Sequence, residues 1–263
     1  MPAVPSAPTA LFQSQRQQEI AALAIENGRV EVADLAQRFD VTTETIRRDL
    51  SELQERRLVR RVHGGATPWE TGGFEPLLSV RDDQRDAEKR RIAISAIEEL
   101  PDTGTVIVDS GSTAGRFVEV VPADSSLRFV TNSLLIARSL SERTDADVIV
   151  IGGKVRKNTF AMVDTQAVEA VEPLTVDTVF MSADGASAAS GLSTPYREAA
   201  AWKQAIIRSA RRVVMLVDHS KFDTDHFIRF AEWSDVDVLV TNRETDADQL
   251  AVIEAGGTTI VLA

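Results

Sequence analysis

Two stretches hold residues whose types and spacing could do chemistry. The first is Val41 to Leu50, Val-Thr-Thr-Glu-Thr-Ile-Arg-Arg-Asp-Leu. Ile46, Leu50 and Leu53 fall at i, i+4 and i+7, so a helix here has one apolar stripe. Thr42 stands just before it, where an N-cap belongs. Thr43, Glu44, Arg47 and Arg48 then face away from the stripe. A helix offering hydroxyls (Thr42, Thr43, Thr45) and guanidiniums near its N-terminal end suits a major groove, where Arg can donate twice to guanine. A merely solvated helix face carries the same residue types, so the neighbours must decide. The second stretch, Asp109-Ser110-Gly111-Ser112-Thr113-Ala114, follows an apolar strand and opens a helix. Glycine admits an anion close to the backbone, and hydroxyls, amides and a helix N-terminus suit a phosphate. An ordinary Ser/Thr-capped turn looks the same, so this loop alone leaves both readings open.

The elements around the first stretch favour a groove-reading helix. Ser14 to Glu26 reads as a helix with Ile20, Leu23 and Ala24 inward, stopped by Asn27-Gly28. Val32 to Phe39 reads as a second helix, and Asp40-Val41 turns into the third. Leu58 to His63 alternates like a strand, with Gly64-Gly65 as a turn. Three helices and a small ribbon describe a winged helix-turn-helix. Arg60, Arg61 and His63 on the ribbon would lie along the sugar-phosphate backbone, fixing register without reading sequence.

Beyond residue 66 the pattern changes. Residues 67–80, with Pro and glycines, read as a linker. Arg81 to Leu100 reads as a helix ended by Pro101. Strands are expected at Thr105–Asp109, Arg128–Thr131, Asp147–Ile151, Val176–Ser182, Val213–Val217, Val236–Thr241 and Thr258–Leu262. Helices are expected at Ala114–Val121, at Ser133–Leu140, and from Pro195 (capped by Thr194) to about Ala210. Alternating strands and helices mean a mostly parallel sheet covered on both faces. The fold class is therefore α/β: a winged helix-turn-helix over 13–66, then a doubly wound α/β effector domain over 81–263, with 1–12 as a flexible tail. Ligands of such sheets bind beyond the carboxyl ends of the strands. That rim collects Asp109, Ser110, Gly111, Ser112 and Thr113, then Thr131-Asn132-Ser133, Gly152-Gly153-Lys154, Asp184, Lys203, Asp218 and Lys221. Hydroxyls, carboxylates and lysines converging on one rim describe a site for a phosphorylated polyol.

Charge supports this division. The chain carries a net −11, with 29 basic and 40 acidic residues. Residues 1–66 hold nine of each and are neutral, so the remainder carries the whole excess. A basic cluster (Arg56, Arg57, Arg60, Arg61, His63) on a neutral domain can take phosphates while an acidic body stays clear. With no cysteine there is neither a disulfide framework nor a thiolate metal site. The three histidines are too scattered for zinc. No signal-peptide pattern or membrane-length apolar run is present, so a cytoplasmic location is expected.

Thr42-x-x-Thr45-Ile46-Arg47-Arg48-Asp49-Leu50, followed by Arg61-x-His63-Gly64-Gly65-Ala66, closely resembles the DeoR family of bacterial transcriptional regulators. The second half resembles that family's effector domain through Asp109 to Thr113, Thr131-Asn132-Ser133, Gly152-Gly153, Glu198 with Lys203, and Asp218-x-Ser220-Lys221-Phe222. The resemblance implies that Val41–Leu50 is a recognition helix on double-stranded operator DNA and that a phosphorylated sugar is the effector. Repression of sugar-metabolism genes, relieved by that effector, follows as the expected function. No other cofactor is implied. A dimer or tetramer is expected, because one winged helix covers too few bases. Two departures stand out: Glu31 where a Ser-like cap is usual, and Asp164 where glycine is usual.

The same half is also similar to ribose-5-phosphate isomerase, through Gly111-Ser112-Thr113-Ala114, Asp184-Gly185-Ala186 and Arg197-Glu198. An isomerase with an accessory DNA-binding domain is therefore an alternative. Ser187 replaces the second acid of that enzyme's pattern, and its lysine-glycine segment is missing, which argues against turnover. A third reading is a constitutive DNA-binding protein whose second half only oligomerises.

Overall fold

The computed structural model describes residues 13–68, 78, 81 and 84–263, except 28, 57 and 63. The tail expected at 1–12, most of the linker, Arg57 and His63 lie outside the described residues. The chain divides into two compact units, 1–76 and 77–263.

In the first unit, α1 (Gln13–Asn27), α2 (Val32–Arg38) and α3 (Thr43–Glu55) pack around Ile20, Ala24, Leu35, Ile46, Leu50 and Leu53. The expected apolar stripe of α3 is thus its buried face. β1 (Val30–Glu31), β2 (Val59–Val62) and β3 (Gly65–Pro68) form a three-stranded sheet in the order β1-β3-β2. Sequence patterning missed β1, because two residues show no alternation. β3 runs on to Pro68, past the expected start of the linker. Gly65 is needed where β3 crosses β1, since a Cβ there would sit 1.9 Å from the carbonyl oxygen of Val30.

The second unit is built on a seven-stranded, wholly parallel sheet, in the order β15-β14-β12-β9-β4-β5-β6. Its strands are β4 (Thr105–Val108), β5 (Arg128–Thr131), β6 (Asp147–Val150), β9 (Val176–Met181), β12 (Ala210–Leu216), β14 (Val238–Thr241) and β15 (Thr259–Leu262). Side chains alternate between two cores. Val106, Val108, Phe129, Phe180 and Val214 meet α4 (Asp86–Ala96), α5 (Ser112–Glu119) and α6 (Leu134–Arg143). Ile107, Val130, Val179, Met181 and Met215 meet α7 (Thr165–Val171), α8 (Arg197–Ser209) and α9 (Ala247–Ala255). Phe117 of α5 stacks on Phe180 with ring centroids 4.2 Å apart. Strands covered on both faces are apolar at most positions, which is why Val106–Val108 and Val213–Leu216 read as continuous runs.

Three helix starts differ from expectation by two residues or more. α4 starts at Asp86 rather than Arg81, because Arg85 takes a left-handed backbone, φ 55°. α5 starts at Ser112 rather than Ala114. α8 starts at Arg197 rather than Pro195, and its N-cap is Tyr196. Thr194 instead ends β11 (Gly191–Thr194), which pairs with β10 (Gly185–Ser187) and β13 (Ile228–Ala231) in a small antiparallel side sheet. β7 (Val155–Arg156) and β8 (Ala161–Met162) form a short hairpin.

Candidate nucleic-acid interface and effector site

The helix expected to read DNA is set by a side-chain cap and a buried ion pair. Thr42 Oγ1 accepts from the Thr45 amide at 3.1 Å and lies 2.9 Å from the Thr45 hydroxyl. Glu31 gives α2 no side-chain cap. Asp49, 1% exposed, accepts from Arg16 Nε at 2.6 Å and from Gln17 Nε2 at 3.1 Å, both on α1. A buried carboxylate bonded twice by a neighbouring helix leaves little freedom for α3 to rotate. It also removes Asp49 as a surface partner for Arg47 or Arg48. Arg47 instead lies 3.3 Å from Glu44, an exposed contact of small energetic weight. Thr42, Thr43, Glu44, Arg47, Arg48 and Arg60 are exposed, and Thr45 is half-buried. Arg61, also exposed, donates through Nη1 to Ser51, while its amide donates to Gln54 Oε1. Arg47 and Arg61 line one groove between α3 and the wing, with Thr43 and Gly64.

The effector-site residues divide between rim and core. Asp109 is 1% exposed; it accepts from Trp202 Nε1 at 2.8 Å and Lys203 Nζ at 2.6 Å. Lys203 also donates to the Ser182 carbonyl at 2.6 Å and sits 5.4 Å from the Phe230 ring centroid. These two groups bond each other and are buried together. Thr131 and Asn132 are fully buried. Thr131 Oγ1 accepts from the Ser133 amide at 3.1 Å. Asn132 Oδ1 accepts from the Ser110 amide at 3.2 Å while its Nδ2 donates to Met162 O at 2.9 Å. Asn132 therefore ties the Ser110 loop to β8.

The loop itself opens α5 in a form suited to an anion. Its N-cap is Gly111, at φ 150°, with no side-chain cap. A Cβ there would meet Ser182 Oγ at 2.8 Å, so the position favours glycine on both counts. Gly111 thus offers the first-turn amides no side-chain acceptor. Ser112 and Thr113 are each 5% exposed in that turn. Gly152 and Gly153 lie exposed on a neighbouring turn. Asp164, the residue departing from glycine, caps α7 through the Ala167 amide and holds the Lys154 amide at 2.9 Å. It braces that turn.

Asp184 accepts from Thr194 Oγ1 at 2.7 Å and faces Arg81 at 3.8 Å. Burial pushes its pKa up, but Arg81, Lys203, Thr194 and Lys221 together bring it below the ordinary carboxyl value. Asp218 is likewise pushed up by burial, and brought below the ordinary value by Lys221, the Ser220 hydroxyl, Lys89 and the Ser220 amide. Lys221 falls below the ordinary lysine value, first through burial and then through Arg81. Lys221, Asp218 and Ser112 line one small cleft with Arg81, Arg85 and Lys89. Those last three cations escaped sequence reading, because spaced charges at a helix start look like a solvated face. Ser187, in place of an isomerase acid, serves a turn: its Oγ accepts from the Ser190 amide and its carbonyl from Trp233 Nε1.

A model of the DeoR-like helix-turn-helix domain matches residues 16–71, and one of the DeoR C terminal sensor domain matches residues 84–243. The chain belongs to the DeoR family. It is 34% identical over 251 residues to the HTH-type transcriptional regulator GlpR of Haloferax volcanii, covering 95% of this chain and 98% of that one. It is 31% identical over 242 residues to the glycerol-3-phosphate regulon repressor of Escherichia coli (strain K12), covering 92% and 95%. The putative aga operon transcriptional repressor of Escherichia coli O157:H7 is 26% identical over 251 residues, covering 95% and 93%. Among solved structures, ribose 5 phosphate isomerase A from Neisseria gonorrhoeae matches at 17% identity and TM-score 0.39, over 56% of each chain. This DeoR-family protein is a DNA-binding transcriptional regulator with a small-molecule sensor domain.

Proposed function

We propose that this regulator represses sugar-metabolism genes and leaves its operator when a phosphorylated sugar or polyol occupies the rim of the parallel sheet. The observation that carries this reading is the uncapped first turn of α5 at Gly111, beside buried Ser112 and Thr113 and the Lys221 cleft. Amides at a helix start with a nearby cation form a short-range anion site, which a domain of net negative charge needs because its long-range field repels anions. The phosphate would sit on Ser110 to Thr113, with Asp184, Asn132 and the Gly152-Gly153 turn bounding the polyol. Asp109 and Lys203 hold the floor rather than touch the ligand. Operator contact falls to Thr42, Thr43, Glu44, Thr45, Arg47 and Arg48 on α3, and to Arg60, Arg61 and His63 on the wing. Two names among the relatives, those of the glycerol-3-phosphate regulon and the aga operon, agree with a role in sugar or polyol metabolism. The protein would act in the cytoplasm as a symmetric homo-oligomer, a dimer or tetramer, on a repeated site, without catalytic turnover.

The test is a thermal-shift series on the full chain with phosphorylated sugars and their unphosphorylated parents. A ligand binding only the folded state stabilises it by about 2.7 kcal/mol at a hundred times its Kd. The expected result is a raised midpoint for at least one phosphorylated compound and none for its parent. No shift with any of them would overturn the effector reading, and conversion of a sugar phosphate would favour an enzyme.

A further inference from the structure

The wing is tied to the recognition helix by side chains that carry no charge. Successive side chains of β2 point to opposite faces, so Arg60 and Arg61 cannot do the same work. Arg61 shares the face of Val59, which is fully buried, and so leans on α3. There it is held twice. Its amide donates to Gln54 Oε1 at 2.9 Å, and its Nη1 donates to Ser51 Oγ at 2.9 Å. Ser51 carries the connection onward, because its hydroxyl donates to the Arg47 carbonyl at 2.8 Å. A hydroxyl has one proton to give and can accept as well, so both bonds form together. One hydroxyl therefore joins the wing's guanidinium to the backbone of the residue expected to read a base.

The backbone around this connection has little slack. The Leu58 amide donates to the Leu53 carbonyl at 2.8 Å, and Leu53, Leu58 and Val59 are buried. Beyond the far end of β2, the Gly64 carbonyl accepts from the Val32 amide at 2.8 Å, which ties the wing's turn to α2. Ser51 and Gln54 add what these backbone bonds cannot, the direction of one side chain. Arg61 and Arg47 consequently line the same groove. Of the nearby carboxylates, Glu44 faces Arg47 at 3.3 Å and Glu31 faces Arg29 at 2.7 Å. A guanidinium has five N–H groups in a fixed fork, so Arg61 can hold Ser51 and a phosphate oxygen at once.

We propose that Ser51 and Gln54 are positioning residues for operator binding: they lock the wing to α3 and aim Arg61 at the phosphate beside the base that Arg47 meets. This rests on the operator contacts proposed above. A side chain already aimed loses less freedom on binding, so the lock is felt as affinity. Charge, by contrast, is felt in the dependence of affinity on salt. Losing the aim and losing the charge thus leave different signatures.

The test uses the full chain and a labelled duplex that the parent protein selects from a randomised pool. Ser51→Ala, Gln54→Ala and Arg61→Ala are compared with the double variant Ser51→Ala/Arg61→Ala and with the conservative Ser51→Thr. Ser51 is half-buried and Gln54 exposed, and urea midpoints check that each variant folds. Ser51→Ala and Gln54→Ala are expected to weaken the duplex about fivefold, the scale of one hydrogen bond, at an unchanged salt slope. Arg61→Ala is expected to weaken it further and to flatten the slope by about one phosphate. The double variant should bind no worse than Arg61→Ala, because Ser51 acts only through Arg61, and Ser51→Thr should restore most of the affinity. Parental binding by Ser51→Ala and Gln54→Ala, or losses that add in the double variant, would overturn the lock while leaving Arg61 at the operator. No loss in Arg61→Ala would remove Arg61 from the proposed contacts, and the lock with it.

Discussion

Replacing Lys203 with methionine separates a structural role from a ligand-binding one. Lys203 Nζ bonds Asp109 at 2.6 Å, with side-chain exposures of 9% and 1%. Removing one partner of such a pair leaves a buried charge uncompensated, a loss of about 3–5 kcal/mol. Asp109 would keep its bond from Trp202 Nε1, which places the outcome toward the lower end. The double variant Asp109→Asn with Lys203→Met buries no charge and should recover part of that loss, giving a coupling of about 1–3 kcal/mol. Urea unfolding followed by tryptophan fluorescence is the assay, because Trp202 sits on the pair. A loss under about 1 kcal/mol in Lys203→Met, or a double variant no more stable than the worse single one, would refute the reasoning. Lys203 would then be free to meet the effector.

Other expectations concern both units. Arg47→Ala and Arg48→Ala should fold normally and weaken operator binding by about 1–3 kcal/mol each, relaxing specificity at one base; competition against altered operators measures this. Arg60→Ala should weaken all DNA sequences alike and flatten the dependence of affinity on salt, read from binding between low and moderate salt. Asp49→Ala, which strands Arg16 of α1 beside α3, should cost about 3–5 kcal/mol of stability in the DNA-binding unit by denaturant titration. Asp184 and Asp218 both sit below the ordinary value of 3.8 in the folded protein. The stability they add is therefore complete above about pH 5 and is lost as the pH falls through their folded values, which an acid titration should locate below 3.8. Lys221 is shifted the other way in charge terms: burial and Arg81 disfavour its protonated form. Asp218, however, is held ionised first of all by Lys221, so Lys221→Met should lower the stability of the unliganded protein, raise the pKa of Asp218 and weaken phosphorylated ligands.

The sequence displayed some of this clearly. Thr42, Ile46, Leu50 and Leu53 announce a capped amphipathic helix because local spacing alone decides it. The parallel strands were visible as apolar runs. The side sheet of β10, β11 and β13 was not, since Gly185–Ser187 and Gly191–Thr194 consist mostly of small and polar residues and make no apolar run. Thr194 looks like a helix cap beside Pro195, but its partner is Asp184, ten residues back in the chain. The pairing of Asp109 with Lys203 spans 94 positions, beyond any local pattern, and buries both groups together. Arg81, Arg85 and Lys89 were hidden for the opposite reason: charges at helical spacing are common, and only the fold gathers them around Ser112.

Under the proposed function, a phosphorylated ligand in the sensor domain lowers affinity for the operator. Anisotropy of a labelled operator, titrated with the full chain at fixed salt with and without a saturating sugar phosphate, measures it directly. Linkage requires the factor by which the ligand weakens DNA to equal the factor by which DNA weakens the ligand. The expected result is a loss of operator affinity with at least one phosphorylated sugar or polyol, no effect of the unphosphorylated parent, and equal factors in both directions. Operator affinity unchanged by a ligand that demonstrably binds the sensor domain would contradict it.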